Sequence, residues 1–260
     1  MLELKNVELI AIDGLSDRNF ERLNDSVKAL EYSSKDINFK SIKILSPEKP
    51  KNLPKKIQWC ETKTFDYKYY SIFCLRDLMD YIESDYFILV QSDGFILNPN
   101  KWTDKFLDYD FIGSPECPNR KLPNYYEWVI EKFPKNFECG WNGGFTIRSY
   151  RLMECIKKLN LNLDDMVMDE NEDHIISYTI RNELEELGCK FPPFDISCQF
   201  GYPANAMKFD YDKYKENHKN PFIENWGLHN PDNSFGFHHH KYIDDYFKEI
   251  EDNILKSTIY

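Results

Sequence analysis

The chain has 260 residues, with 33 Lys+Arg against 44 Asp+Glu and a formal net charge of -11. That acidity argues against a dedicated nucleic-acid binder, which carries a basic face. A content of 42% hydrophobic and 16% aromatic residues supports a sizeable core and excludes wholesale disorder.

No stretch reaches the roughly 18–20 uninterrupted apolar residues of a spanning helix. The opening MLELKNVELIAIDG lacks the basic start and long apolar segment of a secretory leader, so a cytoplasmic protein with no transmembrane segment is the expectation. The 7 cysteines contain no C-x-x-C pair, which disfavours a disulfide framework and a thiolate zinc site.

The front of the chain alternates strand and helix signals. Residues 7–12 (VELIAI) form an apolar run closed by Asp13-Gly14, the pattern of a buried strand ending in a turn. Asp17 is a candidate cap for a helix with Phe20, Leu23, Val27 and Leu30 on one face. Strands are predicted at 41–45, 57–60 and 86–91, with a helix over 69–82 between the last two. This repetition predicts an α/β fold, a mostly parallel central sheet flanked by helices in a single domain.

After Gly94 the signals become irregular. Short elements are expected at 95–97, 102–107 and 111–113, and residues 114–138 read as a long loop of the kind that carries function. A strand follows at 144–148, then helices over 150–159 and 172–187, the latter ending at Gly188. Residues 203–240 read as a surface wrap, and 242–255 as a terminal helix.

Four segments carry residues suited to chemistry. Gln91-Ser92-Asp93-Gly94 follows the strongest apolar strand, and ligands of open α/β sheets bind at the carboxyl ends of strands. Asp93 there can reach a bound metal; the same four residues also make an ordinary turn between two strands. Trp141-Asn142-Gly143-Gly144 offers close backbone approach, hydroxyl-binding groups and a ring for stacking on a sugar, or else a turn beside core aromatics. Glu172 and Asp173 open a predicted helix, where carboxylates are favoured by the helix dipole and can also serve as general base. His238, in FGFHHH, is a candidate metal ligand.

The order and spacing of QSDGFILNP, WNGGFTIRS, the NEDH helix start and SFGFH resemble the GT-A glycosyltransferases over nearly the whole chain. The resemblance implies a nucleotide-binding half, about residues 1–113, and an acceptor and catalytic half, about 114–260. It places Asp93 at the last Asp of the family's D-x-D metal motif, with Gln91 standing where the first is expected. His238 matches the late histidine of the metal shell, and Asp173 the carboxylate that deprotonates the acceptor. Asp13, Gly14, Ser92, Asn142, Gly143 and Gly144 fall at positions that contact donor or acceptor.

The implied activity is metal-assisted transfer of a hexose from a nucleoside-diphosphate sugar, a UDP-sugar foremost, to a hydroxyl of a glycan or other acceptor. Mn²⁺ or Mg²⁺ suits carboxylate, imidazole and phosphate oxygens, and offsets the repulsion between an acidic protein and a diphosphate. Lys63 and Arg148 are the basic candidates for further compensation. A sugar-1-phosphate nucleotidyltransferase and a non-catalytic carbohydrate-binding protein on the same scaffold are the alternatives.

Overall fold

Two apolar sets alternate along the same strands and organise the fold. In β1 (Leu2–Ile12) and β4 (Tyr86–Val90), Leu9, Ala11, Ile88 and Val90 enter one core, while Ile10, Ile12, Phe87 and Leu89 enter another. Successive side chains of a strand point to opposite faces, so a strand covered on both sides reads as an unbroken apolar run. The computed structural model describes residues 1–14, 20–116, 140–166, 170–203 and 234–238.

The central sheet adds β2 (Ile37–Ser46), β3 (Gln58–Glu61), β6 (Phe111–Glu116) and β7 (Gly140–Ser149), in the order β3-β2-β1-β4-β7-β6. The first four strands of that order are parallel. β7 runs antiparallel to both its neighbours, so the sheet is mixed and not purely parallel. The N-terminal end of β7 therefore lies beside the carboxyl end of β4.

Helix α1 (Phe20–Ser33) buries Leu23, Val27 and Leu30 as its periodicity predicts; Asp17 lies outside the described residues. Helix α2 (Tyr67–Ile72) starts at Asp66, whose side chain accepts from Tyr69 N. It then loosens into a π turn, Phe73–Asp77, and tightens into a 3₁₀ turn, Leu78–Tyr81. Phe73, Cys74 and Leu75 are all buried, which a single 3.6-residue stripe does not accommodate.

After α3 (Tyr150–Lys158), the helix expected over 172–187 is broken in the same way. It consists of α4 (Glu172–His174), a π turn at Ile175–Thr179 and α5 (Arg181–Glu186), with Gly188 at φ +90° ending the run. Residues 172–178 are buried without interruption, so this segment threads the interior instead of lying on its surface.

A second sheet is made of β5 (Gly94–Ile96), β9 (Gly236–His238) and β8 (Gly201–Pro203), with β9 in the middle. Helix α6 (Phe194–Phe200) leads directly into β8. Residues 234–238, expected on a surface wrap, are instead buried, with Phe235 and Phe237 packed among Phe95, Phe106 and Phe200. The rest of that wrap, the terminal helix and most of the loop expected at 114–138 lie outside the described residues. Among the described residues, no helix is long and apolar enough to cross a membrane.

Candidate active site

β4 ends in a tight turn. Gln91 N donates to Gly94 O at 2.8 Å and Gly94 N to Gln91 O at 3.1 Å, which leaves Ser92 and Asp93 at the tip. The four residues thus join two strands, the plain-turn reading, and the turn places Asp93 beyond the sheet's carboxyl end. β5 leaves the turn paired with β9 so that Gly94 opposes His238. Asp93 Oδ1 and His238 Nε2 are 3.6 Å apart. Two residues separated by 145 positions are thus neighbours because β9 was inserted beside β5.

β7 contributes the other wall. Its register against β6 jumps, with Gly113 opposite Thr146 and Ser114 opposite Asn142, so residues 143–145 bulge from the ladder. The Asn142 side chain accepts from Gly144 N at 3.0 Å and so shapes the bulge itself. A Cβ on Gly144 would lie 2.1 Å from His238 Nε2 and 2.9 Å from Gln91 Oε1; one on Gly143 would lie 2.6 Å from Glu172 Oε1. Only glycine allows the backbone to pass this close to the imidazole and the carboxylate.

Trp141 is not available for stacking on a sugar. It is buried beneath the bulge, donating its indole N–H to Ser197 Oγ at 2.7 Å and lying against Phe111 and Phe191.

The acidic helix start faces Gly143. Asp173 accepts Gly143 N–H on Oδ2 at 2.7 Å and His174 N–H on Oδ1 at 2.8 Å, so its carboxylate is oriented by two backbone donors. Glu172 Oε1 is 3.2 Å from Arg148 Nη2. Arg148, expected among the groups compensating phosphate charge, is 0% exposed. Its Nε donates to Thr146 Oγ1 and its guanidinium lies over Phe111, so it neutralises Glu172 from inside the core.

Asp13 and Gly14 share this end of the sheet, since Ala11 pairs with Val90. Their own contacts run elsewhere: Asp13 Oδ2 accepts from Ser26 Oγ of α1 at 2.7 Å, and Gly14 O accepts from Phe65 N at 2.8 Å. Ser92 is buried in the turn, and Lys63 is exposed.

Sequence reasoning missed Tyr70. Its hydroxyl accepts from Gln91 Nε2 at 3.2 Å, which ties α2 to the turn. No signal distinguishes this tyrosine from its neighbours Tyr67 and Tyr69 along the chain.

A carboxylate and an imidazole 3.6 Å apart suit Mn²⁺ or Mg²⁺ when phosphate oxygens and water complete the shell. Among the described residues, no group of three or more His, Cys, Asp or Glu side chains gathers to hold an ion without such help.

Comparison with known proteins places the fold. The apo-form glycosyltransferase GlyE of Streptococcus pneumoniae TIGR4 is similar to this chain at a TM-score of 0.50 and 12% identity, covering 91% of this chain and 54% of that one. This chain thus spans about half the length of GlyE. Weaker likenesses are to core-mannan synthase A of Aspergillus fumigatus in its Mn/GDP form and to the mannosyltransferase Ktr4p of S. cerevisiae. Their TM-scores are 0.38 and 0.37, at 8% and 12% identity. They cover 63% and 69% of this chain, and 63% and 65% of their own. The fold is accordingly similar to that of a glycosyltransferase, GlyE. No curated protein matches the sequence. A family model matches residues 56–222, more than half of the chain, and the protein belongs to that family, described as a protein of unknown function (DUF5672).

Proposed function

We propose that this chain is a glycosyltransferase moving a hexose from a nucleoside-diphosphate sugar, a UDP-sugar foremost, to a hydroxyl of a glycan or other acceptor. One observation carries the reading: His238, 3.6 Å from Asp93, abuts Gly144, while Glu172 and Asp173 abut the adjoining Gly143. A metal-binding pair and an oriented carboxylate across a two-glycine wall make a place where a leaving diphosphate and an attacking hydroxyl can be held together.

Asp93 and His238 would hold Mn²⁺ or Mg²⁺, which when bound supplies positive charge to the diphosphate. Asp173 is the proposed base of an inverting reaction and takes the acceptor proton on its carboxylate. Gly143 and His174 N–H groups fix the direction in which that carboxylate faces. Glu172 positions the bulge through its contact with Gly143 and its pairing with Arg148. Asp13, Gly14 and Ser92 lie on the nucleotide side, and Asn142, with Gly143 and Gly144, forms the turn that meets donor sugar or acceptor. The donor half is residues 1–113 and the acceptor half 114–260.

The test is incubation with a panel of nucleotide sugars, with and without Mn²⁺, following thermal shift and release of nucleoside diphosphate. A donor that stabilises the protein only with cation present, and is turned over, supports the proposal. Pyrophosphate release from a nucleoside triphosphate and a sugar phosphate would support the nucleotidyltransferase instead. Tight donor binding with neither hydrolysis nor transfer would support a binding protein.

A further inference from the structure

A cavity lies at the β3 edge of the central sheet, away from the glycine bulge. One wall is the segment that follows β3. Thr62 N donates to Ser46 O at 3.2 Å and Phe65 N to Gly14 O at 2.8 Å, which fixes that segment beside the ends of β2 and β1. The other wall is the helical run from α2 to the 3₁₀ turn, where Tyr69, Phe73, Asp77 and Tyr81 recur every four residues. The Tyr81 hydroxyl donates to Glu61 O at 3.2 Å and ties the two walls together. They border an open cavity of about 220 Å³. In the order β3-β2-β1-β4, the strand that carries the Asp93 turn is three spacings away, roughly 14 Å.

The lining is aromatic. The buried rings of Phe65 and Phe73 have centroids 5.0 Å apart. Tyr69 stacks on Phe65 at 6.2 Å and 23°, and Tyr81 leans on Phe73 at 5.6 Å. Both tyrosines are only half-buried, so part of each side chain stays open to solvent.

The polar groups divide into committed and uncommitted. Both oxygens of Asp77 accept from Arg76, at 2.6 and 2.9 Å. Lys63 and Asp80 also line the cavity, are exposed, and have neither hydrogen bond nor ion pair among the described residues. One ammonium and one carboxylate, from opposite walls, cancel in charge while keeping their donors and lone pairs unused.

That combination selects a ligand class. A sugar ring has C–H faces that pack on aromatic rings, and hydroxyls that donate to a carboxylate and accept from an ammonium. A diphosphate would meet two carboxylates with Lys63 as the one uncommitted cation. A quaternary ammonium, which aromatic rings also suit, would meet the charge of Lys63. The cavity is smaller than the roughly 300–1,000 Å³ that bury a drug-sized ligand, so it suits one ring of a chain that continues over the surface.

We propose that this cavity is a second carbohydrate site, which holds one sugar ring of an oligosaccharide acceptor at a distance from the reaction centre. Its assignment to the acceptor rests on the glycosyltransferase reading above. Holding a distant ring raises the effective concentration of the acceptor hydroxyl at the bulge without any new contact there.

The test is calorimetry and saturation-transfer NMR with linear hexasaccharides of glucose, mannose, galactose and N-acetylglucosamine. Wild type is expected to bind at least one of them with a Kd of about 1 mM or tighter. Tyr69→Ala and Asp80→Ala should each loosen that complex by about fivefold or more. Binding of none of the four, or unchanged affinity in both variants, overturns the inference; turnover of a nucleotide sugar by the same preparation would then leave the glycosyltransferase reading standing. If Tyr69→Ala does not fold, unchanged affinity in Asp80→Ala overturns the inference by itself. Tighter binding of tetramethylammonium than of any hexasaccharide overturns it in favour of a cation cage. A hexasaccharide held through Tyr69 and Asp80, with no nucleotide sugar bound or turned over, removes the glycosyltransferase reading and the acceptor role with it.

Discussion

His238 Nε2 occupies the space beside Gly144 where a side chain would start, 2.1 Å from the position of a Cβ. The contact joins the bulge of β7 to the second sheet, and through His238 to Asp93. Gly144→Ala must therefore displace the imidazole or the backbone. Overpacking of this kind costs about 1–3 kcal/mol, or a fall in Tm of roughly 2–4 °C for each kcal/mol at this size. The expected outcome is a folded protein with a lower circular-dichroism melting point and no cation-dependent stabilisation by nucleotide. Retention of that stabilisation would separate His238 from the cation site.

Asp173→Asn is expected to lower transfer by about 10²–10⁴-fold, the range for loss of a general base. It should also lower stability slightly. Both carboxylate oxygens accept backbone N–H, so the amide NH₂ of asparagine must face either Gly143 N–H or His174 N–H. A lost acceptor at a buried donor costs about 1–3 kcal/mol. Asp93→Asn leaves those bonds alone, and should abolish the response to Mn²⁺ without the same fall in Tm. Steady-state kinetics with a melting curve on each variant checks both, and wild-type turnover in either removes that residue from the mechanism.

The strands were readable because burial on both faces leaves Val7–Ile12 and Tyr86–Val90 with no polar interruption except Glu8, and because Asp-Gly marks the turn at 93–94. The site was only partly readable, for reasons that particular residues make plain. Asp93 and His238 meet through β5–β9 pairing, which no local pattern encodes; only the resemblance to a family brought them together beforehand. Trp141 and Arg148 were left open because an aromatic or a cation looks the same in sequence whether it faces inward or outward. The bulge at 143–145 decides the matter by shifting which residues of β7 face the core. The π turns escaped notice because periodicity assumes one buried stripe, whereas residues 73–75 and 172–178 are buried on every side.

At the other end of the sheet, Glu8 and Lys43 form a buried ion pair at 2.7 Å. Burial alone would push the Glu8 carboxyl up, but the hydrogen bonds from Lys43, Ser41 and the Glu83 N–H together outweigh it and hold it below its ordinary value of 4.5. A depressed carboxyl contributes stability that is present above its unfolded value and lost as pH falls through the lower folded one, because the unfolded chain then binds the proton more readily. Wild type should therefore lose stability in acid below about pH 4.5, and the gap between it and Glu8→Gln should narrow there. Urea unfolding between about pH 7 and about pH 3 measures the gap. A gap that stays constant across the range would mean that Glu8 is not held charged by these partners.

Arg148 supports the site from beneath, and its removal should separate charge balance from ligand binding. It is fully buried, paired with Glu172 and bonded to Thr146, while Nη1 has no hydrogen-bond partner among the described residues. Arg148→Met leaves the Glu172 carboxylate buried without its cation, a change that costs about 3–5 kcal/mol. The double variant Arg148→Met/Glu172→Gln carries no net charge at either position and also dispenses with the unsatisfied guanidinium nitrogen. It should recover most of the lost stability in urea unfolding, a strongly non-additive pair as expected for residues in contact. Because the guanidinium has no exposed surface from which to meet a phosphate, the double variant should bind donor within about threefold of Glu172→Gln alone by calorimetry. A stable double variant that binds donor orders of magnitude more weakly than Glu172→Gln would assign Arg148 to the diphosphate after all.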